Sequence, residues 1–186
     1  NDVRKFGFIK ILDNKKYNDS LHLKNLGPEP LGSKFNYFYF KQFIKSTNRM
    51  IKDILMDQKF VSGLGNIYAN EILFLSKIKP SRKVKNLEEF EIKKIVKLTK
   101  KILKASIKLG GSSIKDFSSS NGKKGSFQQH FNVYGKKGLP CPSIRCHNKI
   151  LKSAQIGSVL ALNTVNKIEI DKLIFLLDQR GLQITK

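Results

Sequence analysis

Leu55-Met56-Asp57-Gln58-Lys59-Phe60-Val61-Ser62-Gly63-Leu64-Gly65-Asn66-Ile67-Tyr68-Ala69-Asn70-Glu71 is the stretch that decides how this chain reads. Two glycines flank Leu64, and helix-like sequence follows at once. Glycine tolerates backbone angles that crowd other residues, so a sharp turn is expected at 63–65. A helix starting near Asn66 then points its unpaired amides outward from the turn. Such an end favours anions, phosphate above all.

The rest of the chain says which phosphate. There are 36 Lys+Arg against 14 Asp+Glu, a formal charge of +22 over 186 residues. Self-repulsion on that scale opposes compaction unless a polyanion is the partner. Basic side chains displace condensed counterions from nucleic acid and gain salt-sensitive affinity. A membrane surface is the weaker rival, because no strongly amphipathic terminal helix or lipidation signal is present. No apolar run approaches the ~20 residues of a membrane span. No charged-then-apolar leader reads as a signal peptide. Two cysteines do not make a secreted disulfide scaffold. The expected setting is therefore cytoplasmic, in or near a nucleoid. The 40% hydrophobic content and 13 Phe suffice for a real core.

Local patterns place the elements. Residues 1–12 alternate apolar and basic, as a strand does, and read as chain entering mid-sheet. Position 1 is Asn, not Met, and an upstream portion is expected. Leu26-Gly27-Pro28-Glu29-Pro30-Leu31 reads as a stiff linker and a domain boundary, because two prolines hold it extended. Residues 34–43 carry Phe35, Phe38, Phe40 and Phe43 and suit a helix buried on one side. Thr47 or Asn48 is placed to cap a second helix running through Met56, and residues 66–76 form a third, closed before Pro80. Asn86-Leu87-Glu88-Glu89 has the spacing of a capping box. The helix behind it sets Ile92, Ile95, Val96, Ile102, Leu103 and Ile107 on one face and lysines over much of the rest. That lysine stripe reads first as a solvated face, with groove contact as the alternative. Gly110-Gly111 ends the helix. Residues 118–125 have the composition of a mobile loop, and 128–134 alternate like a strand. Residues 153–186 differ in kind, with four basic and three acidic residues. They read as strand, helix over 167–179, a stop at Gly181 and a short strand.

The segment 57–71 resembles the helix–two-turns–helix of formamidopyrimidine-DNA glycosylase. Further blocks occur in the family's order. Asp2-Val3-Arg4-Lys5-Phe6-Gly7 is similar to its Asp-Pro-Arg-Arg-Phe-Gly, and residues 26–31 to its interdomain linker. Gly110-Gly111-Ser112-Ser113-Ile114-Lys115-Asp116-Phe117 is similar to its Gly-Gly-Thr-Thr-Leu-Arg-Asp-Phe. Phe127-Gln128-Gln129 and Val133-Tyr134-Gly135-Lys136-Lys137-Gly138-Leu139-Pro140-Cys141 continue it. The resemblance covers roughly residues 1–146.

It implies a mainly α fold with small β parts. Residues 1–26 would be the end of an N-terminal β-sandwich, and 27–135 the helix–two-turns–helix DNA-binding domain. Residues 136–152 would start a degenerate zinc ribbon, and 153–186 a divergent tail. The activity implied is base-excision repair. Oxidised purines are removed from damaged double-stranded DNA, and the strand is nicked by β,δ-elimination. Flipping a base leaves a gap in the stack. Arg4 and Phe6 match two residues that fill it, by bonding to the orphaned base edge and by wedging between bases. Asn66, with Gly65 beside it, matches the phosphate contact next to the lesion. Lys52 matches a basic residue near the strand, with a solvated lysine as the plainer reading. Residues 115–127 match a lid over the flipped base.

The departures bear on chemistry. The family attacks the sugar with an N-terminal proline amine, followed by a proton-shuttling Glu. Neither is in this chain, nor is the family's catalytic lysine, so no catalytic residue is assigned. Structural zinc takes four ligands, from two Cys-x-x-Cys pairs in the family. Here four residues intervene between Cys141 and Cys146 and no later cysteine follows, so an incomplete site without bound zinc is expected. His147 and His130 could be recruited, but adjacent Cys146 and His147 rarely fit one tetrahedron together. The expected behaviour is weak duplex binding by a monomer, without excision. The alternatives are a non-catalytic DNA-binding module and an RNA-binding protein of ribosomal type.

Overall fold

In a computed structural model the described residues are 20–112, 125–143, 146–153 and 158–161, with side chains of 21, 22, 152, 153 and 158–161 left aside. The expected strand at 1–12, the wedge residues Arg4 and Phe6, the lid over 115–124 and the helix at 167–179 lie outside them.

Among the described residues the structure is helical with one strand pair. The helices are α1 (Leu21–Lys24), α2 (Tyr37–Ile44), α3 (Ile51–Leu55), α4 (Asn66–Ser76) and α5 (Glu89–Lys108). Strands β1 (Ile150–Ser153) and β2 (Ser158–Ala161) pair antiparallel, with Ile150 opposite Ala161 and Ser153 opposite Ser158. Helix α4 packs against α5 and α3, and α2 packs against α5. Their shared core holds Phe35, Phe40, Ile54, Phe60, Leu64, Ile72 and Ile95. Phe60 sits among four rings, with Phe40 and Phe43 both 4.8 Å away and Phe35 and Tyr39 at 5.8 Å.

Several boundaries differ from expectation for local reasons. Helix α2 starts at Tyr37, because Asn36 Oδ1 accepts the Tyr39 amide at 3.0 Å and caps it. Phe35 is thereby buried ahead of the helix, while Phe38 turns outward, 76% exposed. Neither Thr47 nor Asn48 caps α3. Its cap position is Met50, which bridges Lys83, while the Ile51 and Val84 amides reach Arg82 O and Arg49 O. That extended pairing holds the chain out of helix until Ile51. The capping box exists two residues later than expected. Glu88 is the cap, and Glu91 Oε2 accepts the Glu88 amide at 2.9 Å. Asn86 instead closes a 3-10 turn, Val84–Asn86. Residues 128–134 form no strand. Phe127–His130 is a 3-10 turn, and the loop after it hangs on Glu71.

Two expectations hold closely. Helix α4 spans 66–76 and closes at Lys77 in the left-handed region, φ 61. The Gly110-Gly111 stop adopts φ 73 and 80, which glycine alone tolerates freely.

Candidate nucleic-acid interface

The two turns between α3 and α4 are held by their own side chains. Asp57 Oδ1 accepts the Lys59 amide at 2.9 Å, and its carbonyl accepts the amides of Phe60 and Val61. Arg49 Nη1 donates to Asp57 Oδ2 at 2.5 Å. That bond is the main reason the Asp57 carboxyl lies below its ordinary range. Gln58 spans the second turn. Its Oε1 accepts the Gly63 amide at 2.7 Å, and its Nε2 donates to Leu64 O at 3.0 Å and Met56 O at 3.2 Å. Gly63 has φ +76, so it carries the turn.

Gly65 has a different task. Its φ of −113 is ordinary extended backbone, so it needs none of glycine's freedom. It is the cap of α4, no side chain caps the helix, and no acidic residue lies in the first turn. A Cβ on Gly65 would meet nothing within 4 Å. No capping side chain therefore occupies the first-turn amides of α4, an arrangement suited to an anion. Asn66 stands beside them. Its Oδ1 accepts from Asn70 Nδ2 at 3.2 Å, which turns the Asn66 amide nitrogen away from Asn70. Asn66 is thus the first helical residue and not the cap.

Lys52 is not a solvated lysine. It is 1% exposed, inside α3, and burial lowers its amine to about 8, with Asp53 raising it in part. Below that value it carries its charge beneath the two turns.

The linker residues dock on the same turns. The Gly27 amide donates to Gln58 O at 2.8 Å, and the Ser62 amide to Pro28 O at 3.2 Å. A Cβ on Gly27 would lie 2.5 Å from Phe60 backbone atoms. At the far side, Glu71 gathers the chain that follows the Phe127–His130 turn. Its Oε2 accepts from the Asn132 amide and Nδ2, and its Oε1 from the amides of Val133 and Tyr134, all within 2.9 Å. Gln58, Asn70, Glu71 and Gly27 were not singled out from sequence. A buried carboxylate on the apolar helix 66–76 was the available signal for Glu71.

Cys141 and Cys146 are both buried, are not joined in a disulfide and pack on Phe74. Burial pushes the Cys141 thiol up, away from the thiolate a metal needs. Among the described residues no group of three or more His, Cys, Asp or Glu converges, and His147 is exposed. Two thiols do not fit a four-ligand structural zinc site.

Two short-coupled helices, joined by successive side-chain-held turns and ending in an open helix N-terminus, define a helix–two-turns–helix module of the kind that grips a phosphate backbone. Residues 26–118 match the family described as "Formamidopyrimidine-DNA glycosylase H2TH domain". The chain is 44% identical over 140 residues to the formamidopyrimidine-DNA glycosylase of Listeria monocytogenes, covering 75% of this chain and 51% of that protein. It is 38% identical over 157 residues to that of Roseobacter denitrificans, covering 84% and 56%. Among solved structures, Lactococcus lactis Fpg in complex with DNA containing an abasic site aligns with TM-score 0.78 and 34% identity, over 89% of this chain and 61% of that one. MutM (Fpg) of Thermus thermophilus aligns with TM-score 0.71 and 33% identity, over 80% and 56%. The chain belongs to the formamidopyrimidine-DNA glycosylase family. It spans about half the length of the curated relatives it matches.

Proposed function

We propose that this chain binds damaged duplex DNA and belongs to base-excision repair of the formamidopyrimidine type. The complete activity is removal of oxidised purines, followed by strand nicking by β,δ-elimination. The observation that carries the reading is the open N-terminus of α4 behind Gly65 and Asn66, held by Gln58 and Asp57, in a chain with this family membership. The helix amides and the Asn66 side-chain nitrogen donate to one backbone phosphate. Lys52 adds a positive charge below it. Arg4 and Phe6 serve the gap left by the flipped base. This chain binds without cutting, since the family's proline amine and catalytic lysine are not in its sequence. Its setting is cytoplasmic, and it acts as a monomer.

Mobility-shift titration against an abasic-analogue duplex, a matched intact duplex and structured RNA tests the reading. Preference for the abasic duplex supports it, and Asn66→Ala should weaken that binding by about tenfold, one charge-assisted hydrogen bond. Preference for RNA removes the repair reading. Borohydride trapping on an oxidised-guanine duplex tests the absence of cutting, and a covalent adduct overturns it.

A further inference from the structure

Helix α5 carries a second polyanion surface. Its exposed lysines Lys97, Lys101, Lys104 and Lys108 recur at spacings of four, three and four residues. At about 100° per residue they fall within roughly 60° of one another. The buried residues Ile92, Ile95, Thr99, Ile102 and Ser106 fall roughly opposite. The stripe therefore runs about 16 Å along the side of α5 turned away from the core. Its neighbours are already engaged. Lys93 pairs with Glu89 at 2.6 Å, and Lys100 donates to Gly32 O at 2.9 Å. The four stripe lysines have no ion pair among the described residues, and the sequence has no Asp or Glu from 92 to 112.

Such a row is unfavourable by itself. Like charges three or four residues apart on one helix face repel and destabilise the helix. A phosphate backbone reverses the sign. The lysines step about 4.5–6 Å along the axis, against one phosphate per ~3.4 Å of axis on each strand, so each reaches its own phosphate. A bilayer surface fits poorly, because a membrane-lying helix needs its apolar face free and that of α5 is buried.

The direction of the stripe separates it from the α4 site. Tyr68, early in α4, meets Ser106, late in α5, hydroxyl to hydroxyl at 2.5 Å. The two helices thus bring the α4 N-terminus beside the α5 C-terminus. From that end the stripe runs back along the opposite side of α5. We propose that this stripe binds a second segment of duplex DNA while the first is held at α4, so that the protein passes between duplexes without becoming free. The proposal rests on the DNA-binding reading above.

The test uses the full 186-residue chain bound to a fluorescent abasic-analogue duplex and chased with unlabelled duplex. Wild-type dissociation should accelerate severalfold as competitor concentration rises, because the second duplex is captured before the first leaves. Lys97→Gln, Lys101→Gln, Lys104→Gln and Lys108→Gln together should make the rate independent of competitor. The same variant should also lose the salt dependence of competitor capture, a slope of roughly 3.6 for four phosphates at ~0.9 each, and keep its affinity for the first duplex. Changing all four to Arg should restore both. Glutamine is a good helix former, and circular dichroism confirms that α5 persists. Wild-type dissociation that ignores competitor overturns the proposal with the DNA-binding reading intact, as does a Gln variant that behaves like wild type. Absence of any wild-type complex overturns both.

Discussion

Replacing Lys52 by methionine sets stability against binding at one side chain. The residue is 1% exposed, and burial lowers its amine from the usual 10.5 to about 8. Between those two values the unfolded chain holds a proton that the folded chain has released. The unfolded state binds more protons there, so stability rises with pH across the window. At lower pH both states are charged, and the folded state bears the net cost of burial left after the amine's contacts and the nearby Asp53 offset part of it. The gap from 10.5 to about 8 is worth about 3 kcal/mol at ~1.4 kcal/mol per unit. Methionine keeps most of the stem and removes the amine. Lys52→Met should therefore be more stable than wild type at pH 7, by up to about 3 kcal/mol, and the difference should close toward pH 10.5. Urea unfolding followed by circular dichroism, in steps from pH 7 to 10.5, measures it. Binding should move the other way. The variant should lose about five- to thirtyfold in affinity for an abasic-analogue duplex at pH 7, near 1–2 kcal/mol. A Met variant less stable than wild type at pH 7, with a pH-independent difference, would refute the reasoning. It would mean that the contacts of the charged amine outweigh the cost of its burial.

Three further outcomes test the frame around the site. Gly27→Ala should destabilise by about 1–3 kcal/mol, because its Cβ would press on the Phe60 backbone at 2.5 Å; thermal melting of the two proteins decides it. Glu71→Gln places an amide nitrogen against at least one pair of the donors at 132–134, and the Val133 and Tyr134 amides should exchange with solvent at least tenfold faster, read by hydrogen exchange, while α4 amides stay protected. Asp57 is held below its ordinary 3.8 chiefly by Arg49, so its stabilisation is full above that value and lost as pH falls below it. Asp57→Asn should flatten the acid limb of a stability-against-pH curve, and an unchanged limb would count against the Arg49 contact.

The parts of the fold that were legible in the sequence are those fixed by local chemistry. Helix 66–76 announces itself by glycines before it and a proline beyond, and both ends fall where expected. The Gly110-Gly111 stop is equally local. Misplaced features depend on partners outside the local pattern. The box at 86–89 and the box at 88–91 have the same spacing, and contacts from Arg82 select the second. Arg82 donates to Asn86 O at 2.6 Å, holding Asn86 in its 3-10 turn, and pairs with Glu91 at 2.5 Å. The alternation at 128–134 is real, but Glu71 takes the amides a neighbouring strand would need. Lys52 gives no local sign of burial, because its surroundings come from the chain folding back at residues 80–82.

The phosphate site itself was half legible, and the missing half explains how it works. Sequence alone assigns the turn to two equivalent glycines. In the fold they divide the labour. Gly63 supplies the left-handed residue, and Gly65 is an extended cap that brings no capping side chain to α4. The turns and Asn66 are then held by neighbouring groups. Gln58 ties both turns together, Asn70 orients Asn66, and Gly27 lets the linker close on Gln58. Asn70 marks the consequence most clearly, because its Oδ1 is buried without a partner. A buried acceptor left unpaired costs about 1–3 kcal/mol. Reversing the Asn70 amide would let it accept from Asn66, but would aim the Asn66 nitrogen inward and away from phosphate. The observed orientation keeps that donor outward. Asn70→Ala should therefore stabilise or leave unchanged the unbound chain while weakening duplex binding. That binding loss should disappear on a duplex whose contacted phosphate is replaced by methylphosphonate. Equal losses on both duplexes would assign Asn70 to packing alone.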